Sequence, residues 1–353
     1  MEYILNDVLE IKNGKNQKAV ENSEGQYPIY GSGGVIGYAD DYICDADTVV
    51  IGRKGSINNP IYVSEPFWNV DTAFGLVARR EVLLPRYLFY FCKKFDFEKL
   101  NKTVTIPSLT KSDLLNIKIK LPDIDEQQLV VDKLIRIESV MEFRKQELNV
   151  LDNLIKARFV ELFDGKYPED TLLNLCNIVD YRGKTPEKVE HGLPFITAKN
   201  VKMHHMTLEP REYISKETYD KVMVRGFPKE GDVVFTTEAP LGNVCRIPHF
   251  DTEFYIGQRI VTMQTDALNP TYLEYALSDE EFVRKYMGKS SGSTVTGIRV
   301  RLLEQLTIPV PARTLQDEFS TFVHQVDKSK VAVQKALDET QMLFDSLMQE
   351  YFN

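Results

Sequence analysis

The chain has 353 residues, of which 43% are hydrophobic and 27% are charged, and its formal net charge is −9. This composition allows two buried cores and excludes a low-complexity chain, while the acidic balance argues against a generic nucleic-acid binder. The sequence shows neither a signal-peptide pattern nor an apolar run of membrane-spanning length, so we expect a soluble, cytoplasmic protein without a membrane partner.

Residues 1–121 are predicted to form a first α/β domain with glycine-rich turns. The segments "YGSGGVIG" (30–37) and "IGRKGSINN" (51–59) place glycines beside cationic and hydroxyl side chains. Such turns bring backbone amides and cations close to a phosphate or to the edge of a DNA groove. The candidate DNA-binding residues of this domain are Gly31, Ser32, Gly34, Arg53, Lys54 and Ser56.

A long helix is predicted over residues 122–165. A period-two apolar segment ends at Pro122, and Asp125 with Gln128 has the spacing of a capping box at a helix start. Apolar residues then recur at alternating spacings of four and three. This periodicity indicates a helix with a heptad seam and favours a coiled coil.

Residues 311–353 repeat the same transition and are predicted to form a second long helix. A shift of 189 carries Pro122 onto Pro311 and Gln127 onto Gln316, and Thr314 with Asp317 replaces the capping box. The two heptad ladders indicate helices that pack on each other, and two unrelated amphipathic helices in separate cores are the alternative. The residues predicted to pair the helices are Leu134, Ile137, Leu148, Leu151, Ile155, Val323, Val326, Leu337, Phe344 and Leu347.

Residues 166–310 are predicted to form a second α/β domain, because landmarks upstream of the helices also recur in order. For example, "DTVVIGRKGSI" (47–57) parallels "GDVVFTTEAPLG" (231–242). In its polar turns Arg and Lys suit guanine, Asn suits adenine, and Glu238 suits the amino group of cytosine, although an ordinary surface turn explains any single loop. The candidate DNA-binding residues are Arg182, Lys184, Thr185, Lys199, Asn200, Thr237, Glu238, Asn243, Arg259, Ser293 and Arg299.

The sequence offers no constellation for catalysis or for metal binding. Cys44, Cys92, Cys176 and Cys245 are far apart and form no C-x-x-C pair, so buried, reduced thiols are expected. The segment "NPIY" (59–62) departs from the NPPY of adenine methyltransferases and lacks the sequence of a doubly wound fold around it. We therefore expect no catalytic residue, no metal and no cofactor in this chain.

The negative charge is concentrated on the two predicted helices. Residues 122–165 hold 6 basic and 10 acidic residues, and residues 311–353 hold 4 and 7, so seven of the nine excess negative charges lie there. This distribution suits helices that face a protein partner and leaves the two domains free to carry local basic loops.

Several long motifs, in order, resemble the specificity subunit of a type I restriction–modification system. The first domain shows this in "YPIYGSGGVIGY", "VVIGRKGSI" and "FWNVDTAFGL", and the second in "DYRGKTP", "FITAKNV", "GDVVFTTEAPLGNV", "GQRI" and "GSTVTGI". The junctions "LPDIDEQQLVVDKL" and "VPARTLQDEF" resemble the helical regions of that family. One departure is that "TLQDEF" lacks the second glutamine of "DEQQL". The resemblance covers essentially the whole chain.

The resemblance implies an α+β fold with two α/β target recognition domains. Each domain is followed by a long helix, and the two helices pair as an antiparallel coiled coil with an internal pseudo-two-fold repeat. It implies a non-catalytic subunit in which each domain reads one half of a bipartite, interrupted target in double-stranded DNA. The helices would set the spacer and dock two methyltransferase subunits, which bring S-adenosylmethionine, and restriction/translocase subunits would join for cleavage.

Two other interpretations remain open on the sequence alone. A specificity subunit serving a fused nuclease–methyltransferase shares every feature described and differs only in its partner. A non-DNA scaffold, in which the coiled coil holds two protein-binding domains, also fits the repeat, because a fold does not fix a function.

Overall fold

The computed structural model describes residues 1–101, 106–165, 167–181, 186–292 and 296–352. The chain divides into two compact units: the first unit is Met1–Gln146 with Gln334–Asn353, and the second unit is Glu147–Val333. The division predicted from the sequence follows the chain, with the helices as segments of their own, and it stays a prediction. None of the helices in the described residues combines the length and the apolar character that crossing a membrane requires.

The first domain contains short strands and helices that lead into one long helix. In chain order these elements are β1 (Glu2–Ile4), α1 (Leu5–Val8), β2 (Leu9–Asn13), β3 (Tyr27–Gly31), β4 (Gly34–Ala39), β5 (Thr48–Gly52), β6 (Ile61–Val63), β7 (Trp68–Asn69), β8 (Ala73–Ala78), α2 (Pro85–Lys94), a 3-10 helix (Phe97–Leu100), α3 (Lys111–Leu115), β9 (Lys118–Lys120) and α4 (Ile124–Phe163).

The second domain and its helix follow in the same way. The elements are β10 (Glu169–Thr171), α5 (Leu172–Leu175), β11 (Asn177–Asp180), β12 (Leu193–Ile196), β13 (Val201–Lys202), β14 (His205–Met206), β15 (Tyr213–Ile214), α6 (Lys216–Val222), β16 (Val233–Thr236), β17 (Val244–Arg246), β18 (Tyr255–Ile256), β19 (Ile260–Gln264), α7 (Pro270–Ser278), α8 (Glu280–Met287), α9 (Val300–Leu303), β20 (Thr307–Pro309) and α10 (Arg313–Phe352).

The two domains share one sheet topology. In the described residues the larger sheets have the orders β2-β8-β5-β6 and β11-β19-β16-β17, and the smaller ones β4-β3-β7 and β15-β12-β18. The pairs β3–β7 and β12–β18 are both parallel, and β1–β9 and β10–β20 are both antiparallel. This correspondence confirms the internal repeat that the sequence landmarks predicted.

The long helices pack against each other within each unit. In the first unit Leu134 of α4 shares a core with Phe344 of α10, and Lys133 Nζ donates to Tyr351 Oη (3.3 Å). In the second unit Arg158, late in α4, pairs with Glu318, early in α10 (2.9 Å). The helices are therefore antiparallel, as the resemblance implied. All ten residues predicted to pair them are buried or half-buried.

The helix starts differ from the predicted capping boxes. Asp123, and not Asp125, caps α4, because its Oδ1 accepts from the backbone N–H of Glu126 (2.8 Å). Thr314 lies inside α10, which begins at Arg313. Pro122 is followed by aspartates at both 123 and 125, so the capping motif alone did not tell which one precedes the helix.

Two glutamines that the repeat aligned, Gln127 and Gln316, have the same structural role. Gln127 Oε1 accepts from the N–H of Leu84, which precedes α2, and Gln316 Oε1 accepts from the N–H of Asn269, which precedes α7 (2.9 and 2.8 Å). Both glutamines are at most 1% exposed. Each one fixes the start of a long helix to the start of a shorter helix in the same unit.

The four cysteines are free and buried, as expected from their spacing. Burial raises the pKa of the Cys44, Cys176 and Cys245 thiols to about 12 and that of Cys92 further still. At neutral pH these thiols are protonated, and a protonated thiol is a poor nucleophile.

Candidate nucleic-acid interface

In the first unit the two glycine-rich turns predicted from the sequence lie against each other. A Cβ placed on Gly52 would lie 3.0 Å from Ser32 Cβ and 2.3 Å from the carbonyl of Ser56. Only glycine fits at this approach. Gly55 has a φ of +84°, a left-handed conformation that glycine adopts without strain. The turn after β3 and the loop after β5 therefore form one surface.

Arg53 and Lys54 project from this surface. The N–H of Arg53 donates to the carbonyl of Thr72 (2.8 Å), and its carbonyl accepts from the N–H of Leu109 (2.9 Å), so the backbone is fixed on both sides. Both cationic side chains are exposed. None of the described carboxylates forms an ion pair with either cation. The Arg53 guanidinium makes one long bond, to the backbone carbonyl of Asp71 (3.4 Å), and lies 5.8 Å from the centre of the Phe74 ring.

The loop after β16 in the second unit has the same backbone arrangement. The N–H of Thr237 donates to the carbonyl of Arg259 (2.9 Å), and its carbonyl accepts from the N–H of Ile298 (2.9 Å). These bonds match those of Arg53, and β5 and β16 occupy the same place in their sheets. Arg53 and Thr237 are therefore equivalent positions in the two domains.

The residues after these two positions are equivalent as well, and their charges are opposite. The backbone of Lys54 forms an isolated antiparallel β-bridge with Ser108, and the backbone of Glu238 forms one with Gly297. Glu238 also forms an ion pair with Arg259 (3.2 Å), in which both side chains remain about half exposed. One scaffold position thus presents a free cation in the first domain and a paired carboxylate in the second.

The segment "TAKN" (197–200) divides into one exposed cation and one structural amide. Lys199 is exposed, whereas Asn200 is 1% exposed. Asn200 Oδ1 accepts from the N–H of Thr197 (2.9 Å), and its Nδ2 donates to the carbonyls of Thr207 and Pro210 (3.1 Å each). Its amide is saturated inside the protein, so Asn200 shapes the loop and its side chain is not presented to a ligand.

Asn243 and Thr237 also use their side chains internally. Asn243 Nδ2 donates to the carbonyl of Val201 (2.8 Å), which connects the loop after β16 to the start of β13, directly after the "TAKN" segment. Thr237 is 3% exposed, and its Oγ1 donates to the carbonyl of Arg259 (3.2 Å). The loop backbone needs these partners because buried carbonyls and amides are rarely left unpaired. We therefore revise both side chains to a supporting role.

The remaining predicted residues fall into two groups. Arg299 is exposed and directly precedes α9, next to Ile298 of the same surface. Four candidates lie outside the described residues, and their predictions stand as made: Arg182, Lys184, Thr185 and Ser293.

Sequence reasoning missed two exposed apolar residues next to the predicted turn. Val35 and Ile36, which follow Gly34, are 49% and 56% exposed. The prediction for "YGSGGVIG" rested on its glycine and polar residues. The sequence pattern that could have predicted the exposed pair is two branched apolar residues directly after two glycines. In the second unit the exposed Lys202, near Lys199, was also missed.

The chain matches known proteins in both halves. A family described as "Type I restriction modification DNA specificity domain" matches residues 1–153 and again residues 171–340. A type I restriction enzyme specificity subunit of Methanocaldococcus jannaschii is 24% identical over 331 residues, with 83% of this chain and 74% of that chain covered. A putative subunit of the same kind from Haemophilus influenzae is 22% identical and covers 91% of this chain and 88% of its own length.

Solved structures show the same fold. The S subunit of a type I restriction–modification system from M. genitalium superposes with a TM-score of 0.61 at 16% identity, covering 100% of this chain and 96% of that chain. A chain from a study of complex assembly and conformational transition of the type I system gives the same TM-score at 18% identity, covering 100% and 97%.

Proposed function

The chain belongs to the type I restriction–modification DNA specificity family, and on that premise we propose that it selects the target of a restriction–modification complex. Each recognition domain reads one half of a bipartite, interrupted sequence in double-stranded DNA. The paired helices set the unread spacer, as the spacing between two DNA-reading elements sets half-site separation elsewhere.

One observation carries this proposal: equivalent loops on matching sheets present different side chains in the two domains. At equivalent positions the first domain has Arg53 and Lys54, and the second has Thr237 and Glu238. Arg and Lys suit the O6 and N7 acceptors of guanine, whereas a carboxylate suits the amino group of cytosine. Two copies of one reader with different loops predict two different half-sites and an asymmetric target.

The methyl transfer and the cleavage belong to partners. Two methyltransferase subunits supply S-adenosylmethionine and flip the target adenine, and restriction/translocase subunits join for cleavage. The chain itself contributes recognition and docking without a catalytic residue or a cofactor. The helices suit docking because they carry most of the excess negative charge and also expose apolar side chains, such as Phe143 (68%) and Val150 (64%).

Single substitutions in each domain test whether each domain reads its own half-site. In the purified complex with its methyltransferase, Arg53→Ala should relax one base position of one half-site only, at a cost of ~1–3 kcal/mol. Lys199→Ala should relax the base preference at one position of the other half-site only. If Lys199 contacts a phosphate, the variant should instead lower the methylation rate of all targets alike. The readout is the methylation rate on duplexes that carry every single base change.

A matched control is Arg79→Ala, whose guanidinium donates to the carbonyl of Asp7 (3.1 Å) away from the loop after β5. This variant should leave the preference at every base unchanged. If Arg53→Ala and Lys199→Ala both left the pattern and the rate of methylation at the wild-type level, the assignment of these loops would be wrong.

A further inference from the structure

The β3–β4 hairpin of the first unit ends in an exposed apolar tip. Ser32 and Gly33 form the turn, and Val35 and Ile36 follow at the start of β4, each about half exposed. β4 is an edge strand of its sheet. Its far end is covered, because the N–H of Asn22 donates to the carbonyl of Tyr38 (2.9 Å). Uncovered apolar edges promote association, so an apolar tip at such an edge points to a ligand.

The apolar tip and the cationic loop after β5 share one surface. A Cβ placed on Gly31 would lie 3.6 Å from Ile36 Cγ2, so the Ile36 side chain packs against the end of β3, next to the hairpin turn. The same turn approaches the loop through Ser32, whose Oγ lies 3.7 Å from the position of a Cβ on Gly55. The exposed Arg53 and Lys54 are on that loop. The tip therefore offers a ligand apolar surface flanked by positive charge.

We propose that the β3–β4 hairpin enters the major groove and that Val35 and Ile36 contact the C5 methyl group of a thymine in the half-site of the first domain. The major groove admits a two-stranded ribbon, and the thymine methyl is the apolar group exposed on its base edges. The flanking Arg53 and Lys54 would then reach base edges in the same groove, as the proposed function requires. This inference rests on the proposed function and names part of the sequence that the first domain reads.

Among the described residues of the second domain, the equivalent strand is not followed by this pair of branched apolar residues. Tyr30 and Ile196 are equivalent, since Tyr30 accepts from the N–H of Val70 (3.0 Å) and Ile196 from the N–H of Gly257 (2.7 Å). After Ile196 the chain continues into the "TAKN" segment (197–200), in which the apolar residue is buried and the exposed residue is a lysine. The next turn, between β13 and β14, exposes the unbranched Met203 (41%). The contact proposed for Val35 and Ile36 therefore belongs to the half-site of the first domain.

The test replaces each thymine of both half-sites, one at a time, with deoxyuridine, which removes only the C5 methyl group. The assay is the rate of methyl transfer by the complex of this chain with its methyltransferase, at substrate concentrations below saturation. We expect deoxyuridine at one position to lower the rate of methyl transfer about fourfold, the equivalent of ~0.8 kcal/mol for one buried methyl-sized group. The slowed position should lie in the half-site that the first domain reads.

Variants of the tip assign the effect. The complex with Ile36→Ser should methylate duplexes with thymine or deoxyuridine at that position at equal rates. The complex with Ile36→Val, which keeps branched methyl groups, should still methylate the thymine duplex faster. Val35→Ser provides a second variant at an equally exposed site, and thermal unfolding checks that each variant is folded. Val224→Ser, at a 64% exposed position outside the two long helices and the loops assigned to DNA, is the matched control and should discriminate as the wild type does.

Three results would overturn the inference. The first is equal wild-type rates with thymine and deoxyuridine at every position. The second is discrimination that persists in both Val35→Ser and Ile36→Ser. The third is a tip variant that binds the methyltransferase more weakly while the assembled complex still discriminates as the wild type does, which would make the tip a protein contact. Methylation that does not depend on the chain at all would instead refute the proposed function.

Discussion

Gln127 shows how much one buried side chain contributes to the first unit. It is fully buried and, besides the bond to Leu84, its Nε2 donates to the carbonyls of Val82 (2.9 Å) and Pro122 (3.0 Å). The side chain thus joins the end of the domain to the start of α4. A polar group in this position stabilises the fold mainly by pairing backbone groups that would otherwise be buried without a hydrogen bond.

We predict that Gln127→Ala lowers the free energy of unfolding by about 1–3 kcal/mol for each buried backbone group left unpaired. Urea titration of the full chain measures this change. The control is Gln128→Ala next to it, an exposed residue that bonds only Asp132 (2.8 Å) and should change stability by less than about 0.5 kcal/mol. Equal losses for both variants would contradict the account.

Asp47 gives the first unit a pH dependence of defined sign. The hydrogen bond from Tyr62 (2.5 Å) and the ion pair with Arg80 (2.8 Å) lower the pKa of the Asp47 carboxyl below its usual value, against an opposing effect of burial. A lowered folded-state pKa stabilises the fold above the unfolded pKa, and this stabilisation is lost as pH falls through the folded pKa.

We therefore expect Asp47→Asn to be less stable than the wild type at neutral pH and to approach it in acid. Asn tolerates the left-handed backbone at this position, where φ is +59°. Thermal unfolding of both proteins between about pH 2 and pH 7 measures the difference, which should shrink below about pH 4. A difference that stays constant over this interval would show that the carboxylate charge has no role there.

At the scale of single residues the sequence located the loops but not the direction of their side chains. Arg53 and Lys199 are exposed, as a charged residue in a turn usually is. Asn200 is buried because its amide bonds backbone groups up to ten residues away, at Thr207 and Pro210. Such a partner depends on the fold of the following segment, which no local pattern reveals.

At the scale of elements the helices were the most predictable feature. Heptad spacing is a local property of an amphipathic helix, so burial of Leu134, Ile155 and Val323 followed directly from the sequence. The spacing does not predict what a polar residue on the same helix face contacts. The structure shows that Lys330 pairs with Asp152 on the facing helix (2.6 Å), a contact between residues far apart in the chain.

Phe344 tests the packing of α10 in the first unit. It is 5% exposed, and its ring lies 5.1 Å from Lys93 Nζ and 6.4 Å from the ring of Tyr90. We predict that Phe344→Ala costs ~3–5 kcal/mol of unfolding free energy, as large-to-small core changes do. Leu343→Ala, at the 51% exposed neighbouring position, should cost less than ~0.5 kcal/mol. Similar urea midpoints for the two variants would rule out this packing.

At the scale of the whole molecule, one framework was used twice with different surface chemistry. The repeat was legible in the sequence because landmark segments recur in order, and the matching sheet orders confirm it. Lys54 and Glu238 lie in the two segments that the sequence landmarks pair, and the backbone bridges show that they occupy equivalent positions with opposite charges. The partners of these bridges, Ser108 and Gly297, are distant in the chain and could not be predicted from the sequence.

The net charge of the chain predicts that it needs a partner to hold DNA. With −9 overall, the chain repels the polyanion, and its few cationic loops provide little counterion release. We expect the isolated chain to bind DNA only weakly, with a dissociation constant no tighter than ~10⁻⁶ M at physiological salt. Gel-shift titrations with and without the methyltransferase measure this, and tight, sequence-specific binding by the chain alone would contradict it.

The most direct test of the central claim is a genome-wide map of adenine methylation. Cells that express this chain with its modification subunit are compared with cells that lack the chain. We expect an interrupted, asymmetric methylation motif that appears only when the chain is present. A continuous motif, or methylation that is the same without the chain, would contradict a reader with two different recognition domains.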